Sequence, residues 1–249
     1  MKTAIVSDIH GNLTALEAVL DNCRKQEVDK IYCLGDIVGY GPRSSECLAL
    51  IRSITETIVL GNHDEMAFLE EVDGLFLSSD AKWSLKFTAD HLSDVEKKFL
   101  RYLPDIIRLN DQAMVLAHSS YQYPEHWLYI TERVSAAAAM KYQPEPVCFI
   151  GHTHIPKVFC KKEGEAAADS LDLSTAIPIR PNYHYIINPG SVGQPRDHDP
   201  RASYGILETI GSQEAFSLHR IEYNLEQEQA IMKKAGVCGS IIERLEKGR

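Results

Sequence analysis

Apolar residues along the first sixty positions switch between an alternating period and a helical one. Ala4-Ile5-Val6 lies in a strand-like run from Thr3 to Ser7, and Leu13 to Lys25 reads as a helix on Leu13, Leu16, Ala18, Val19 and Leu20. Ile31 to Leu34 reads as a second strand. Ser45 to Ser53 reads as a helix carrying Leu48, Leu50 and Ile51, and Thr57 to Leu60 as a third strand. This β-α-β-α-β order predicts an α/β fold. From 65 to 103 the pattern is helical, with Phe68, Leu69, Val72 and Leu75 first, then Leu85, Phe87, Leu92, Val95, Phe99, Leu100 and Leu103. Ser93-Asp94-Val95-Glu96 matches a capping box, and Pro104 ends the helix it opens.

Further strands are expected at Val115–Ala117, Val147–Ile150, Tyr185–Ile187, Ser203–Leu207 and Phe216–Tyr223. Residues 161–182 read as a solvent-side excursion with hairpin character. Residues 224–247 read as helix broken near Gly236–Gly239, with Ile231, Ile241, Ile242 and Leu245 packing on the body of the fold. No repeat, low-complexity tract or linker interrupts the chain. The expected organisation is one domain, residues 1–249, with a helical insertion at about 65–110.

Composition narrows the function without choosing it. The 249 residues are 44% hydrophobic and 24% charged, an ordinary globular balance with length enough for a sizeable core. A net charge of -9 argues against a nucleic-acid backbone or an anionic membrane as partner, and against a DNA nuclease, while suiting a cation-binding protein. The six cysteines include no C-x-x-C pair, so they read as buried reduced thiols rather than a zinc or redox site. Met1-Lys2 leads straight into the first strand without a signal-peptide pattern, and no apolar stretch is long enough to span a bilayer. A cytoplasmic protein without a membrane partner is expected.

The chemistry lies where the strands stop. Asp8 and His10 follow the first, Gly35-Asp36 the second, Gly61-Asn62-His63-Asp64 the third, His118 the run ending at Ala117, and Gly151-His152-Thr153-His154 the run ending at Ile150. Ligands of α/β sheets bind outside the carboxyl ends of strands, where residues distant in sequence converge. If strand geometry persists, Asp8 and His10 face the same way, as do His152 and His154. Asp36 offers two oxygens able to bridge two cations, Asn62 a neutral oxygen and His118 another nitrogen. Mixed nitrogen and oxygen donors suit Mn, Fe, Zn or Ni better than Ca or Mg. Gly11, Gly35, Gly61 and Gly151 abut these residues, where tight turns are needed. Each block alone is as well explained by a turn or a cap; all of them in order, each after a strand, point to a metal site.

These blocks resemble the calcineurin-like metallophosphoesterase superfamily: Asp8-Ile9-His10-Gly11-Asn12, Gly35-Asp36, Gly61-Asn62-His63-Asp64, His118 and Gly151-His152-Thr153-His154. Asn188-Pro189-Gly190-Ser191 extends the likeness. Gly35 to Pro42 and Gly193-Gln194-Pro195-Arg196-Asp197 are similar to the small bacterial and archaeal phosphoesterase branch. The resemblance implies a four-layer α-β-β-α sandwich of two mixed sheets with the metal site at the C-terminal strand ends. It implies two divalent ions, Mn or Fe first and Zn or Ni as alternatives. Asp8, His10, Asp36 and His154 would hold one, and Asp36, Asn62, His118 and His152 the other.

The implied activity is hydrolysis of a small phosphodiester or phosphomonoester by metal-activated water. The family suggests that His63 stabilises or protonates the leaving oxygen; as a structural neighbour of Asn62 it would do neither. Arg196 would hold a substrate phosphate, or else pair with Asp197 or Asp199. Asn12, Tyr40 and Arg43 are further substrate-binding candidates, and Asp64 a weaker one for orienting His63. Trp127 and Tyr129 would line a base pocket, or else pack in the core, the reading preferred here. His91, His126, His184, His198 and His219 are not expected as ligands. Ser/Thr protein phosphatases of the superfamily carry a further Asp and an Arg where this chain has Gly39 and Tyr40, which removes support for that activity. The alternatives are a nucleotide or dinucleoside-polyphosphate hydrolase and a non-catalytic scaffold on the same fold.

Overall fold

Strand β1 (Lys2–Val6) pairs in parallel with β2 (Lys30–Cys33), and α1 (Leu13–Lys25) connects them in a computed structural model that describes residues 1–69 and 79–249. Val72 and Leu75 of the expected helical stretch lie outside the described residues. Asn12 caps α1 by accepting the N–H of Ala15 at 3.0 Å, and Arg24 and Lys25 occupy its last turn, where positive charge is favourable. Helix α2 (Ser44–Ile54) follows. The expected third strand, Thr57 to Leu60, is reduced to one bridge of Ile58 opposite Cys33. The N–H of Leu60 already bonds the Pro104 carbonyl at 2.8 Å, so the chain leaves the sheet there.

Helices α3 (Asn62–Met66), α4 (Ser79–His91) and α5 (Asp94–Arg101) come next. The capping box opens α5: Ser93 N–H bonds Glu96 Oε2 at 2.8 Å and Glu96 N–H bonds Ser93 Oγ at 3.4 Å. Strand β3 (Ile106–Leu109) is antiparallel to β4 (Met114–Ala117), and α6 (Arg133–Ala139) leads from β4 to the parallel strand β5 (Val147–Phe149). The excursion begins earlier than its polar residues suggest. Strand β6 (Lys157–Lys162) and β7 (Asp169–Leu171) form a hairpin, and β8 (Ile177–Ile179) crosses to the other sheet. Strands β9 (Tyr183–Asn188), β10 (Ala202–Ile210) and β11 (Gln213–Ile221) complete the sheets. Helices α7 (Leu225–Lys234) and α8 (Gly239–Lys247) end the chain, broken where expected.

Among the described residues the strands form two mixed sheets, ordered β2-β1-β10-β11-β8 and β3-β4-β5-β9-β6-β7. Their pleats sort the side chains. Ile5, Tyr32 and Leu34 of the first sheet meet Leu116, Phe149 and Ile187 of the second in an inter-sheet core. On the outer face of the first sheet, Ala4 and Val6 pack with Leu16, Val19, Leu48 and Ile51 of α1 and α2. Val115, Cys148 and Ile186 do the same against Ala136, Ala137 and Met140 of α6. Each fully buried aliphatic side chain contributes about 1.5–3 kcal/mol, so the layers are held from both sides of each sheet. The result is the expected α-β-β-α sandwich. Among the described residues no helix is long and apolar enough to cross a membrane. Every cysteine is free, and all but Cys238 are buried.

Candidate metal centre

The loops leaving β1, β2, β4 and β5 meet at one end of the seam between the sheets. Strand geometry does not aim the ligands, contrary to the spacing argument. β1 has ended at Val6 and β5 at Phe149, and Asp8, His10, Asp36, His152 and His154 all take left-handed backbone, at φ 53°, 50°, 51°, 67° and 59°. Each such residue costs roughly 1–2 kcal/mol in an L-amino-acid chain. Backbone hydrogen bonds between the loops hold these turns. Ile9 and His10 donate to Asp36 O at 2.8 and 3.0 Å, and Gly193 donates to Asp8 O at 3.0 Å. Gly61 is required by proximity: a Cβ there would strike the backbone nitrogen and Oδ1 of Asp36.

Two buried clusters result. Asp8, His10, Asp36 and His154 each place a ligand atom within 4.8 Å of the others, and Asp36, His118 and His152 do likewise. Asn62 Oδ1 lies 3.2 Å from His118 Nε2, which adds Asn62 to the second group. Asp36 is common to both, but one oxygen rather than two faces the shared space. Oδ1 accepts the N–H of His63 at 2.7 Å, while Oδ2 lies 3.6 Å from His10 Nε2 and 3.3 Å from His118 Nε2.

Backbone carbonyls set the rings. His10, His118 and His154 turn Nδ1 to the carbonyls of Val38, Leu34 and Gln194 at 3.1, 2.6 and 2.6 Å, and so present Nε2 inward. His152 is reversed, with Nε2 2.9 Å from Trp127 O and Nδ1 left for the centre. A carbonyl only accepts, so the nitrogen facing it carries the proton. That leaves lone pairs inward in His10, His152 and His154, the form in which imidazole ligates a metal. Nε2 of His10 and Nε2 of His154 face each other at 3.1 Å with no proton to share, an arrangement that a cation satisfies. The donor set of imidazoles, carboxylates and one amide fits a divalent transition metal.

The electrostatics agree. Burial pushes Asp8 up to about 6 against the pull of His118. Burial also opposes ionisation of Asp36, but His118 and His63 outweigh it and hold this carboxyl well below its usual range. Burial works to lower His118; Asp36 and then Asp8 overcome it and raise the ring to about 9. Burial keeps His10 and His154 well below their usual value and His152 down at about 3.

His63 lies beside this centre, buried, with its ring 4.8 Å from that of His10 and 4.6 Å from that of Tyr40. Burial lowers it to about 4. Among the described residues its Nδ1 has no hydrogen-bond partner, and it faces Gly39, where a Cβ would come within 2.6 Å. Among the described residues Asp64 makes no hydrogen bond to the His63 ring. Its Oδ1 accepts the N–H groups of Ile37 and Val38 at 2.9 and 3.1 Å, and its Oδ2 that of Gly61 at 3.2 Å, so it clamps the Asp36 loop to α3.

The substrate-binding candidates separate. Among the described residues Arg196 makes no ion pair. Its Nη2 donates to Tyr40 Oη at 3.4 Å and Gln194 Oε1 at 3.2 Å, and its charge bears on Asp8, His10, His63 and His154. Asp197 pairs instead with Arg220, and Asp199 with Arg201 at 2.6 Å. Tyr40, left-handed at φ 51°, packs on the His10 and His63 rings and joins Ile241, Ile242 and Leu245 of α8. Asn12 is engaged within the fold: beyond its cap, Nδ2 donates to Gly193 O at 3.0 Å. Arg43 is engaged too, in an ion pair with the buried Glu228 of α7 and a 2.6 Å bond to Thr14 Oγ1. Trp127 and Tyr129 are not core residues. Tyr129 is exposed and stacks on His152, because the loop after β4 runs over the mouth of the centre rather than under a helix. Among the described residues His91, His126, His184, His198 and His219 belong to neither cluster.

The model of the calcineurin-like phosphoesterase superfamily domain matches residues 1–212. The chain belongs to that superfamily. This phosphoesterase is 37% identical to a metallophosphoesterase from Sphaerobacter thermophilus whose crystal structure superposes with a TM-score of 0.85, each chain covered to 100%. It is 35% identical over 248 residues to an uncharacterized protein of Methanocaldococcus jannaschii, covering 99% of this chain and 98% of that one. Two further likenesses are partial. Serine/threonine-protein phosphatase 1 of Salmonella typhimurium is 34% identical over 47% of this chain and 58% of its own. A symmetrical bis(5'-nucleosyl)-tetraphosphatase of Psychromonas ingrahamii is 43% identical over 26% of this chain and 24% of its own. This metallophosphoesterase is a hydrolase acting on phosphate ester bonds.

Proposed function

We propose that the protein hydrolyses a small phosphodiester or phosphomonoester at a dinuclear centre. Asp8, His10, Asp36 and His154 hold one divalent ion, and Asp36, Asn62, His118 and His152 the other. The observation that carries this reading is the pair of buried donor clusters joined at Asp36. Mn or Fe suits the donors, with Zn or Ni as alternatives. When bound, two such ions supply Lewis-acid activation of water and neutralise charge gathering on the phosphoryl oxygens. The chain's own groups do the rest. The carbonyls of Val38, Leu34, Gln194 and Trp127 keep the imidazoles in ligating orientation. Arg196, free of any acidic partner among the described residues, binds and orients the phosphate. His63, neutral near pH 7 because burial lowers it to about 4, donates a hydrogen bond to the leaving oxygen, and its proton once the anionic substrate has raised its affinity for one.

Asp36→Ala is expected to abolish both bound metal and hydrolysis of a panel of monoesters, diesters and nucleotides assayed across divalent metals. Hydrolysis that survives this substitution, or purified protein that takes up no Mn or Fe, overturns the reading. A non-catalytic scaffold would not need the complete donor set together with His63. Hydrolysis of nucleotides or dinucleoside polyphosphates remains the second reading, favoured by the exposed ring of Tyr129 beside His152.

A further inference from the structure

The loop from 118 to 132 carries aromatic side chains that the fold has not buried. Tyr129 is 56% exposed and Tyr123 44%, while Trp127 is half-buried. The Tyr129 ring lies on that of His152, with centroids 4.3 Å apart and planes 21° apart. The Trp127 ring stands edge-on to His118 at 5.8 Å and tilted to His152 at 6.4 Å. Its Nε1 donates to Glu65 Oε2 at 3.1 Å, which fixes the indole. Both side chains therefore border the cluster of Asp36, His118 and His152, on which one phosphate-binding ion is proposed to sit. The other side of the crevice is different in kind, with Arg196 and Tyr40 against His10 and His63.

Orienting His152 does not explain these rings. That task falls to the Trp127 carbonyl, which any residue supplies. Trp127 also sits in left-handed backbone at φ 49°, a conformation its side chain disfavours. A fixed indole and a largely exposed phenol ring, both at the rim of a phosphate site, have the form of a stacking platform. Resting on the function proposed above, we propose that Trp127 and Tyr129 form a subsite for a planar aromatic ring, a nucleobase or an aryl group, carried by the phosphate ester. Stacking of this kind strengthens binding by about tenfold or more.

Phosphonates test this without turnover, because their carbon–phosphorus bond is not an ester. The Mn-loaded protein is titrated by calorimetry with benzylphosphonate, the phosphonate analogue of 5′-AMP, and butylphosphonate. Both ring-bearing compounds are expected to bind about tenfold tighter or better than butylphosphonate. They should also quench a tryptophan fluorescence component that Trp127→Phe removes. Tyr129→Ala should erase the advantage while butylphosphonate affinity and bound Mn stay unchanged, and Tyr129→Phe should keep it. The larger of the two advantages identifies the ring as nucleobase or aryl. Equal affinities, absent quenching, or an advantage that survives Tyr129→Ala overturns the subsite, and butylphosphonate binding then leaves the phosphoesterase centre standing. If no phosphonate binds and no ester is hydrolysed, the proposed function fails and the subsite with it.

Discussion

His63 is held in a way that separates it from its neighbours. Its backbone N–H holds Asp36, while its ring Nδ1, unpartnered among the described residues, lies against the open side of Gly39. Replacing the ring leaves the Asp36 contact in place, so His63→Ala should retain metal yet lower kcat by roughly 10²–10⁴-fold. The loss should be steepest for esters with basic leaving groups and small for nitrophenyl esters, whose leaving oxygen needs no proton. A uniform loss across leaving groups would show that His63 only supports its neighbours. Gly39→Ala should imitate this defect, because the added methyl needs the space beside Nδ1. The proposed ligand residues are legible in sequence because each is a polar group placed just after an apolar run. Their orientation is not. It depends on the carbonyls of Leu34, Val38, Trp127 and Gln194, which every residue type carries alike.

At the scale of elements, α7 is tied to the loop after β2 by Glu228, fully buried, against Arg43 and Thr14. Removing the partner of a buried charge leaves it uncompensated and costs about 3–5 kcal/mol. Arg43→Ala, which strands the buried Glu228 carboxylate, should therefore lower Tm by on the order of 10 °C, whereas Arg24→Ala, which breaks an exposed pair with Asp21, should change stability by less than about 0.5 kcal/mol. Thermal melts of the two variants check the contrast, and equal effects would mean that the Arg43 pair is solvated. Helix α1 is legible in its apolar stripe, and the structure adds the Asn12 cap and the basic last turn that fix its ends. β3 is not, since four residues of Ile106-Ile107-Arg108-Leu109 show no period that separates strand from helix. β6 was masked by Pro156 before it and lysines at its end. Arg43, a substrate-binding candidate by its place on the loop after β2, pairs instead with Glu228, far along the chain.

For the whole molecule, the two clusters draw on both sheets: Asp8, His10 and Asp36 follow strands of the first, and His118, His152 and His154 strands of the second. Metal bound there stabilises the docked sandwich over the unfolded chain. Mn at a hundred times its Kd should add about 2.7 kcal/mol and raise Tm by roughly 5–10 °C, a shift that a chelator reverses and Asp36→Ala abolishes. A metal-independent melt would place the ions outside the seam. The span of the donors along the chain has a further consequence during synthesis. A growing polypeptide exposes Asp8, His10 and Asp36 long before His152 and His154 exist, and the Gln194 carbonyl that aims His154 arrives later still. The emerging chain therefore offers stray ions only scattered donors. The two donor clusters come together only once nearly all of both sheets has left the ribosome and folded, so an ion that needs the whole proposed donor set can be captured only after synthesis.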